Sequence, residues 1–367
     1  MKTLQLSLAT LVGALLTASS AHAQVEINLS GAVAFRDTAY RSIRNLFGPN
    51  LESENTADAS NTPVTTNKSN ALKVTWTGRL PAIYGDQNVI VRAYYNGAVA
   101  GIQDLTQNRN VSFLASSTQG VTNTVSLKSD LAFSSIFQQA TEFPTPTLED
   151  ALYGATPISL VKSSSAPAGI TNITAHQLRT LAANGSAPAW FFTGNTNDTQ
   201  TIHFINRDPT AGQRVTLFLN AIFTGSPISY FWDVPNNQFI VDPTGRNPAQ
   251  ITTHLNSYGP AISYLISADS FNVNGGQNVL AYDGNKAFKG TFSNTGNDFG
   301  PVINGQYSLW VYEHLLNRTT APANVRLFRD KLIEAIDAEL QVSAFSIPIS
   351  RLRAERVADG APVAPIE

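Results

Sequence analysis

The stretch INRDPTAGQR, Ile205 to Arg214, crowds two arginines and an aspartate into a chain that is only 14% charged. It follows the alternating run TIHFI and leads into Gly212 to Phe223, where Val215, Leu217, Phe218, Leu219 and Ile222 predict a largely buried helix. The spacing thus predicts strand, turn and helix, the unit from which α/β sheets are built. Ligands of such sheets sit beyond the carboxyl ends of the strands, at turns that feed helix N-termini. The turn has two readings. In one, Thr210-Ala211-Gly212-Gln213 is a capping box, with the Thr210 hydroxyl accepting from the Gln213 N–H and the Gln213 side chain returning to Thr210. Asp208 then pairs with Arg207 or Arg214 at the surface, for little gain. In the other, the helix N-terminus and the planar fork of Arg207 hold an anion or carboxylate, while Asp208 locks the fork or accepts a proton from the ligand.

Working outward, residues 1–23, MKTLQLSLATLVGALLTASSAHA, have an early lysine, a short apolar run and a small-residue end, which predicts a secretory signal cleaved before Gln24. No second apolar run of about 20 residues follows, so no membrane-embedded segment is expected. With no Cys, neither disulfides nor thiolate metal sites are possible. The charge balance, 24 Lys+Arg against 26 Asp+Glu, contains no basic stripe, which excludes a nucleic-acid binder. At roughly 150 residues per domain, 367 residues favour two lobes.

Val25 to Leu29 reads as a strand ending at Ser30-Gly31, and Arg36 to Phe47 as a helix. Pro49 to Asn70 and Thr106 to Thr124 are Ser/Thr/Asn-rich and read as loops. ALKVTWTGRL and NVIVRAYY alternate as strands about Tyr84-Gly85-Asp86, and a small-residue turn, Asn96 to Ile102, follows the second. Asp130 to Phe137 and Thr156 to Lys162 are strands, and Thr174 caps a helix to Ala183. PISYFWDVPNNQFIV is a hairpin and AISYLIS a strand; two short strands, Asn278 to Tyr282 and Ala287 to Phe292, come next. YSLWVYEHLLNR reads as a helix, and Asn324 to Leu340 is the clearest amphipathic one.

Catalytic signatures are weak. His176, His203, His254 and His314 show no metal spacing, and most read as ordinary surface or partly buried side chains. No Gly-x-Ser-x-Gly elbow, Ser-x-x-Lys or Walker-type loop occurs. A Ser-His-Asp hydrolase depends on geometry that spacing does not reveal. No catalytic residue, metal or cofactor is expected.

In this order of elements the chain resembles the type 2 periplasmic solute-binding proteins, and among them the phosphate-binding component of ABC importers. LSGAVAFRDTAYRSI resembles the family's opening loop and first helix, and YYNGAVAGIQDL its second ligand loop. LAFSSIF resembles the strand that normally ends in Ala-Ser-Asp, and RDPTAGQRVTLF the loop Arg-x-Asp-x-Ser-Gly-Thr. AISYLIS and INGQYSLWVYEHLL are similar to two later segments.

The resemblance implies an α/β fold of two lobes, each a mixed sheet flanked by helices, with the ligand cleft at a two-crossing hinge. Lobe I is expected at 24–157 and 266–367, lobe II at 158–265. It also implies a monomer that closes on a small anionic ligand, a phosphate-like oxyanion or a carboxylate, and that serves an ABC permease where one exists. Ser30, Ala34, Phe35 and Arg36 would be the first ligand loop, Ala98 and Val99 the second, and Ser134 and Ser135 the third. Arg207, Asp208, Thr210 and the N–H groups of Gly212 and Gln213, with Arg214 beside them, would be the contribution of lobe II. The departures weigh against phosphate itself. Ala34, Ala98 and Val99 stand where hydroxyls are usual, and Ser135 where a proton-accepting aspartate is usual. A buried ligand atom left unpaired costs about 1–3 kcal/mol. The sequence therefore leaves open a secreted scaffold or surface-interaction protein that kept the fold and lost phosphate binding.

Overall fold

The computed structural model describes residues 24–366; the expected signal sequence, 1–23, lies outside the described residues. Strand β1 (Val25–Gly31) is buried from Ile27 onward and lies between two parallel neighbours, which is why an apolar run this short suffices. Gly31 ends it with φ 116°, and a Cβ there would stand 2.0 Å from the Phe133 carbonyl oxygen, so only glycine lets the loop turn. The helix Arg36–Phe47 follows, burying Ala39, Tyr40, Ile43 and Phe47 on one face and stopping at Gly48.

The first sheet region continues with β2 (Leu51–Ala57), β3 (Lys73–Arg79) and β4 (Asn88–Tyr94). After the helix Ala98–Thr106 come β5 (Asn110–Leu114), β6 (Thr124–Lys128) and β7 (Leu131–Ser134). Strand β8 (Leu148–Lys162) is the spine of the molecule. It is followed by β9 (Asn172–Ile173), the helix Ala175–Asn184, β10 (Ser186–Pro188), β11 (Thr201–Phe204) and the helix Gly212–Asn220. The hairpin β12 (Tyr230–Asp233) and β13 (Gln238–Val241), the helix Pro248–Ser257 and β14 (Ala261–Ile266) complete this half. The chain then returns through β15 (Ala281–Tyr282), β16 (Trp310–Arg318) and the helix Ala323–Gln341.

The principal sheet is mixed and runs β10-β11-β14-β8-β16-β7-β1-β4-β3-β2. Its two halves meet in β8: Leu148 to Pro157 pair with β16, and Ile158 to Lys162 pair with β14. Helices cover its faces. The helix Ala323–Gln341 buries Val325, Phe328, Leu332, Ile336 and Leu340, the stripe its sequence predicts, and packs on the helix Arg36–Phe47. The architecture is thus the α/β mixed-sheet one expected. Residues 279–285 lie within the span assigned to lobe I, yet they pair with β9 and with Leu160 and Val161 of β8.

Four local expectations are corrected. Pro49 to Asn70 contains β2, and Thr106 to Thr124 contains β5; both are strands at sheet margins, where half the side chains face water and polar residues are no obstacle. YSLWVYEHLLNR holds β16 instead of a helix. Trp310 to Asn317 are buried throughout, so the run has no periodicity to read, and β7 and β8 supply hydrogen-bond partners on both sides. Ala287 to Phe292 is irregular: Gly290 at φ 72° breaks the run, and Phe288 and Phe292 stack on each other at 4.5 Å.

Candidate functional site

The strand-to-helix turns converge where the sequence places them. Gly31, at the tip of β1, donates to the Asn96 amide oxygen (2.9 Å), and its carbonyl accepts from the Gly97 N–H (2.8 Å). The Asn96 amide in turn donates to Asp104 (2.9 Å), a carboxylate whose pKa burial pushes up. Ser30 is buried within β1 beside Asp104, and Phe35 is buried with its ring edge-on to Tyr153. Ser134 closes its own turn by exchanging hydrogen bonds with the backbone of Ile136 (2.7 and 3.1 Å).

Across the seam, the opening motif is folded on itself. The Arg207 side chain is 2% exposed. Its Nε donates to the Arg246 carbonyl (3.2 Å), one terminal nitrogen donates to the Gln213 amide oxygen, and the other lies 3.4 Å from Asp208. Asp208 also accepts from the Thr210 hydroxyl (2.5 Å), and Arg214 donates to the Arg207 carbonyl (3.0 Å). The capping-box expectation is therefore overturned. The turn Asp208-Pro209-Thr210 closes through the Ala211 N–H to the Asp208 carbonyl (3.2 Å), which makes Ala211 the N-cap, without a side-chain cap. Thr210 falls one residue too early, and Arg207 takes the side chain of Gln213.

The two halves are in direct contact at this point. The Val99 N–H donates to the Thr210 carbonyl (3.2 Å), and a Cβ on Gly97 would lie 2.5 Å from the Thr210 hydroxyl oxygen. Gly212 packs as closely on Ser135 and Ala98. What remains between the first loop, Ala98, Ser135 and the Arg207 turn is a cavity of about 10 Å³. A single water needs roughly 10–15 Å³ by this measure, so a tetrahedral oxyanion does not fit. Ala34 lines that cavity, whereas Arg36 does not: it donates to the Val33 carbonyl (2.9 Å) and pairs with Asp269 (3.4 Å).

Several residues that shape this site escaped the sequence. Arg246, which pairs with Asp242 (2.8 Å) and lies 4.1 Å over the Phe231 ring, carries the carbonyl that holds Arg207. Asn206 and Tyr264 anchor the Arg207 backbone, the Tyr264 hydroxyl donating to Asn206 (2.6 Å). Asp359, near the C-terminus, accepts from the Phe137 N–H (2.8 Å) and the Thr216 hydroxyl (3.0 Å), tying the segment after β7 to the helix Gly212–Asn220. Among the four histidines of the described residues, His254 and His314 are fully buried, against expectation. His314 Nδ1 lies 2.9 Å from Asp150, and its Nε2 bonds no hydroxyl among the described residues. Among those residues no cluster of His, Asp and Glu could hold a metal, and no helix is long and apolar enough to cross a membrane.

No protein-family model matches the sequence, and no curated protein matches it. Solved structures do resemble it. A protein from Clostridium perfringens described as a phosphate ABC transporter substrate-binding protein, with phosphate bound, is 13% identical. The alignment covers 88% of this chain and 99% of that one, at a TM-score of 0.54. An ABC-type phosphate transport receptor from Vibrio cholerae is 15% identical over 84% of this chain and 93% of its own, at 0.47. The regulatory domain of a LysR family regulator from N. meningitidis is 9% identical over 89% and 98%, at 0.41. The first of these likenesses shows the architecture: the chain shares its mixed α/β fold with that substrate-binding protein. At such identity the fold is shared, and the ligand has to be argued from this chain's own residues.

Proposed function

We propose that the protein is an exported, non-catalytic solute-binding protein with lobe I at 24–157 and 266–367 and lobe II at 158–265, and that it does not capture phosphate at the strand tips. The observation that carries this reading is the self-occupied Arg207 turn. To bind an oxyanion there, the guanidinium would have to give up Gln213, the Arg246 carbonyl and Asp208 inside a space the size of one water. Each buried hydrogen bond surrendered costs about 1–3 kcal/mol if its partner stays unpaired. The solute is instead taken at the seam just outside, where a cavity of about 360 Å³ lies between Arg36, Asn70, Asp208 and Asn247. Sites for small molecules occupy roughly 300–1,000 Å³. The use of this fold in ABC uptake motivates a permease partner.

The test is calorimetry of the folded protein with phosphate, sulfate, molybdate and simple organic acids. The expected result is no heat with the three inorganic oxyanions. Tight phosphate binding that is lost in Arg207→Ala would overturn the proposal and restore the strand-tip site. A second reading, a surface-interaction protein with permanently closed lobes, is favoured by one observation: the halves are joined directly, by the Val99–Thr210 backbone bond and the Asp359 bridge.

A further inference from the structure

The outer seam has a chemistry of its own. The 360 Å³ cavity meets a second one, of about 280 Å³, at Arg36 and Asn70, which line both. Each is ring-sized, and together they form a groove that runs past Arg36 towards Phe345. From these features, and resting on the reading that solute is taken at the seam, we infer that the groove binds a neutral, polyhydroxylated ligand of the sugar class.

Charge decides against an anion. Arg36 is the cation common to both cavities, and it is already paired with Asp269, as Asp37 of the inner cavity is with Arg41. In the outer cavity Arg207 is spent on its own turn, and Asp58 and Asp208 balance the two arginines. The groove is thus neutral to negative, and an anion entering it gains no free cation.

The remaining lining matches hydroxyl groups. Asn67, Asn70, Asn272 and Asn294 border the inner cavity; all four are exposed, and their amide groups bond no other described residue. An amide offers donor and acceptor side by side, the complement of a hydroxyl that both gives and takes a hydrogen bond. Phe271 and Phe345, with ring centroids 5.9 Å apart, line the same cavity and supply apolar surface for the C–H face of a sugar ring. In the outer cavity Val33, Val64, Leu72 and Pro248 serve that purpose.

The experiment is calorimetry and thermal-shift measurement on the protein from Gln24 onward, with glucose, maltose and cellobiose, then phosphate and citrate, then spermidine. A disaccharide is expected to bind and to raise the Tm. Asn70→Ala, at an exposed position shared by both cavities, is expected to weaken that binding roughly tenfold or more while leaving the ligand-free Tm unchanged; Asn294→Ala provides a second, independent loss. Silence of all three sugars at millimolar concentration, binding of spermidine in their place, or sugar affinity unmoved by both substitutions overturns the inference. Phosphate binding in the same series overturns the function proposed above as well, whereas silence of sugars and phosphate together overturns the sugar inference alone.

Discussion

Glu313 lies in the middle of β16 with no exposure, and no cation among the described residues pairs with it. The Thr156 hydroxyl donates to its carboxylate, and Ser346 stands 2.6 Å behind Thr156. Burial pushes its pKa from 4.5 up to about 7. The folded state then holds this proton over a range in which the unfolded chain has released it. The resulting stability is fully present below pH 4.5 and is lost as pH rises through about 7. At about 1.4 kcal/mol per pKa unit the whole effect is about 3 kcal/mol. Glu313→Gln keeps the acceptor for Thr156 and removes the titration; whatever the extra buried amide protons cost is the same at every pH. Relative to wild type, the variant should therefore gain about 3 kcal/mol between pH 4.5 and pH 8. Urea unfolding of both proteins at intervals of half a pH unit reads that difference directly, because contributions from other groups cancel in it. Parallel stability curves would show that Glu313 has an ordinary pKa and refute the argument.

His254 should show the opposite slope. Burial against Phe231 and Phe239 lowers its pKa from 6.5 to about 4, so the stability of its neutral form is present above 6.5 and lost as pH falls towards 4. Between pH 4.5 and 6.5 it offsets Glu313, and His254→Phe should make stability fall more steeply with rising pH than in wild type; an unchanged slope would remove His254 from the balance. The Asp359 bridge makes a separate prediction. Asp359→Ala leaves the partly buried Phe137 N–H without its partner, a loss of up to about 1–3 kcal/mol, and frees Thr216 from the segment after β7. Amide exchange should accelerate in the helix Gly212–Asn220 and small-angle scattering should report a larger radius of gyration; unaltered exchange and radius would show that the bridge does not hold the halves together.

Much of the scaffold is legible from local pattern because local pattern caused it. The helix Ala323–Gln341 buries the five apolar residues its spacing picks out, and β1, β11 and β14 are short apolar runs bounded by turn residues. Where legibility failed, a distant partner made the decision. The strand β16 is defined by β7 and β8, which lie more than a hundred residues earlier, and a fully buried segment carries no period that separates helix from strand. The same cause limits the reading of INRDPTAGQR. Its strand-turn-helix form was visible, but the fate of Arg207 depends on a carbonyl at Arg246 and a register set by Tyr264, and neither leaves a mark within ten residues of the motif. A guanidinium aimed at a helix N-terminus looks alike in sequence whether its fork holds a ligand or its own chain. The amount of space left between Gly97 and Thr210 separates those cases, and that is a property of two turns a hundred residues apart. The absence of hydroxyls at Ala34, Ala98 and Val99 now has a physical complement: small or apolar side chains let the two turns approach to backbone hydrogen-bond distance, which loop hydroxyls reaching for an anion would hold apart.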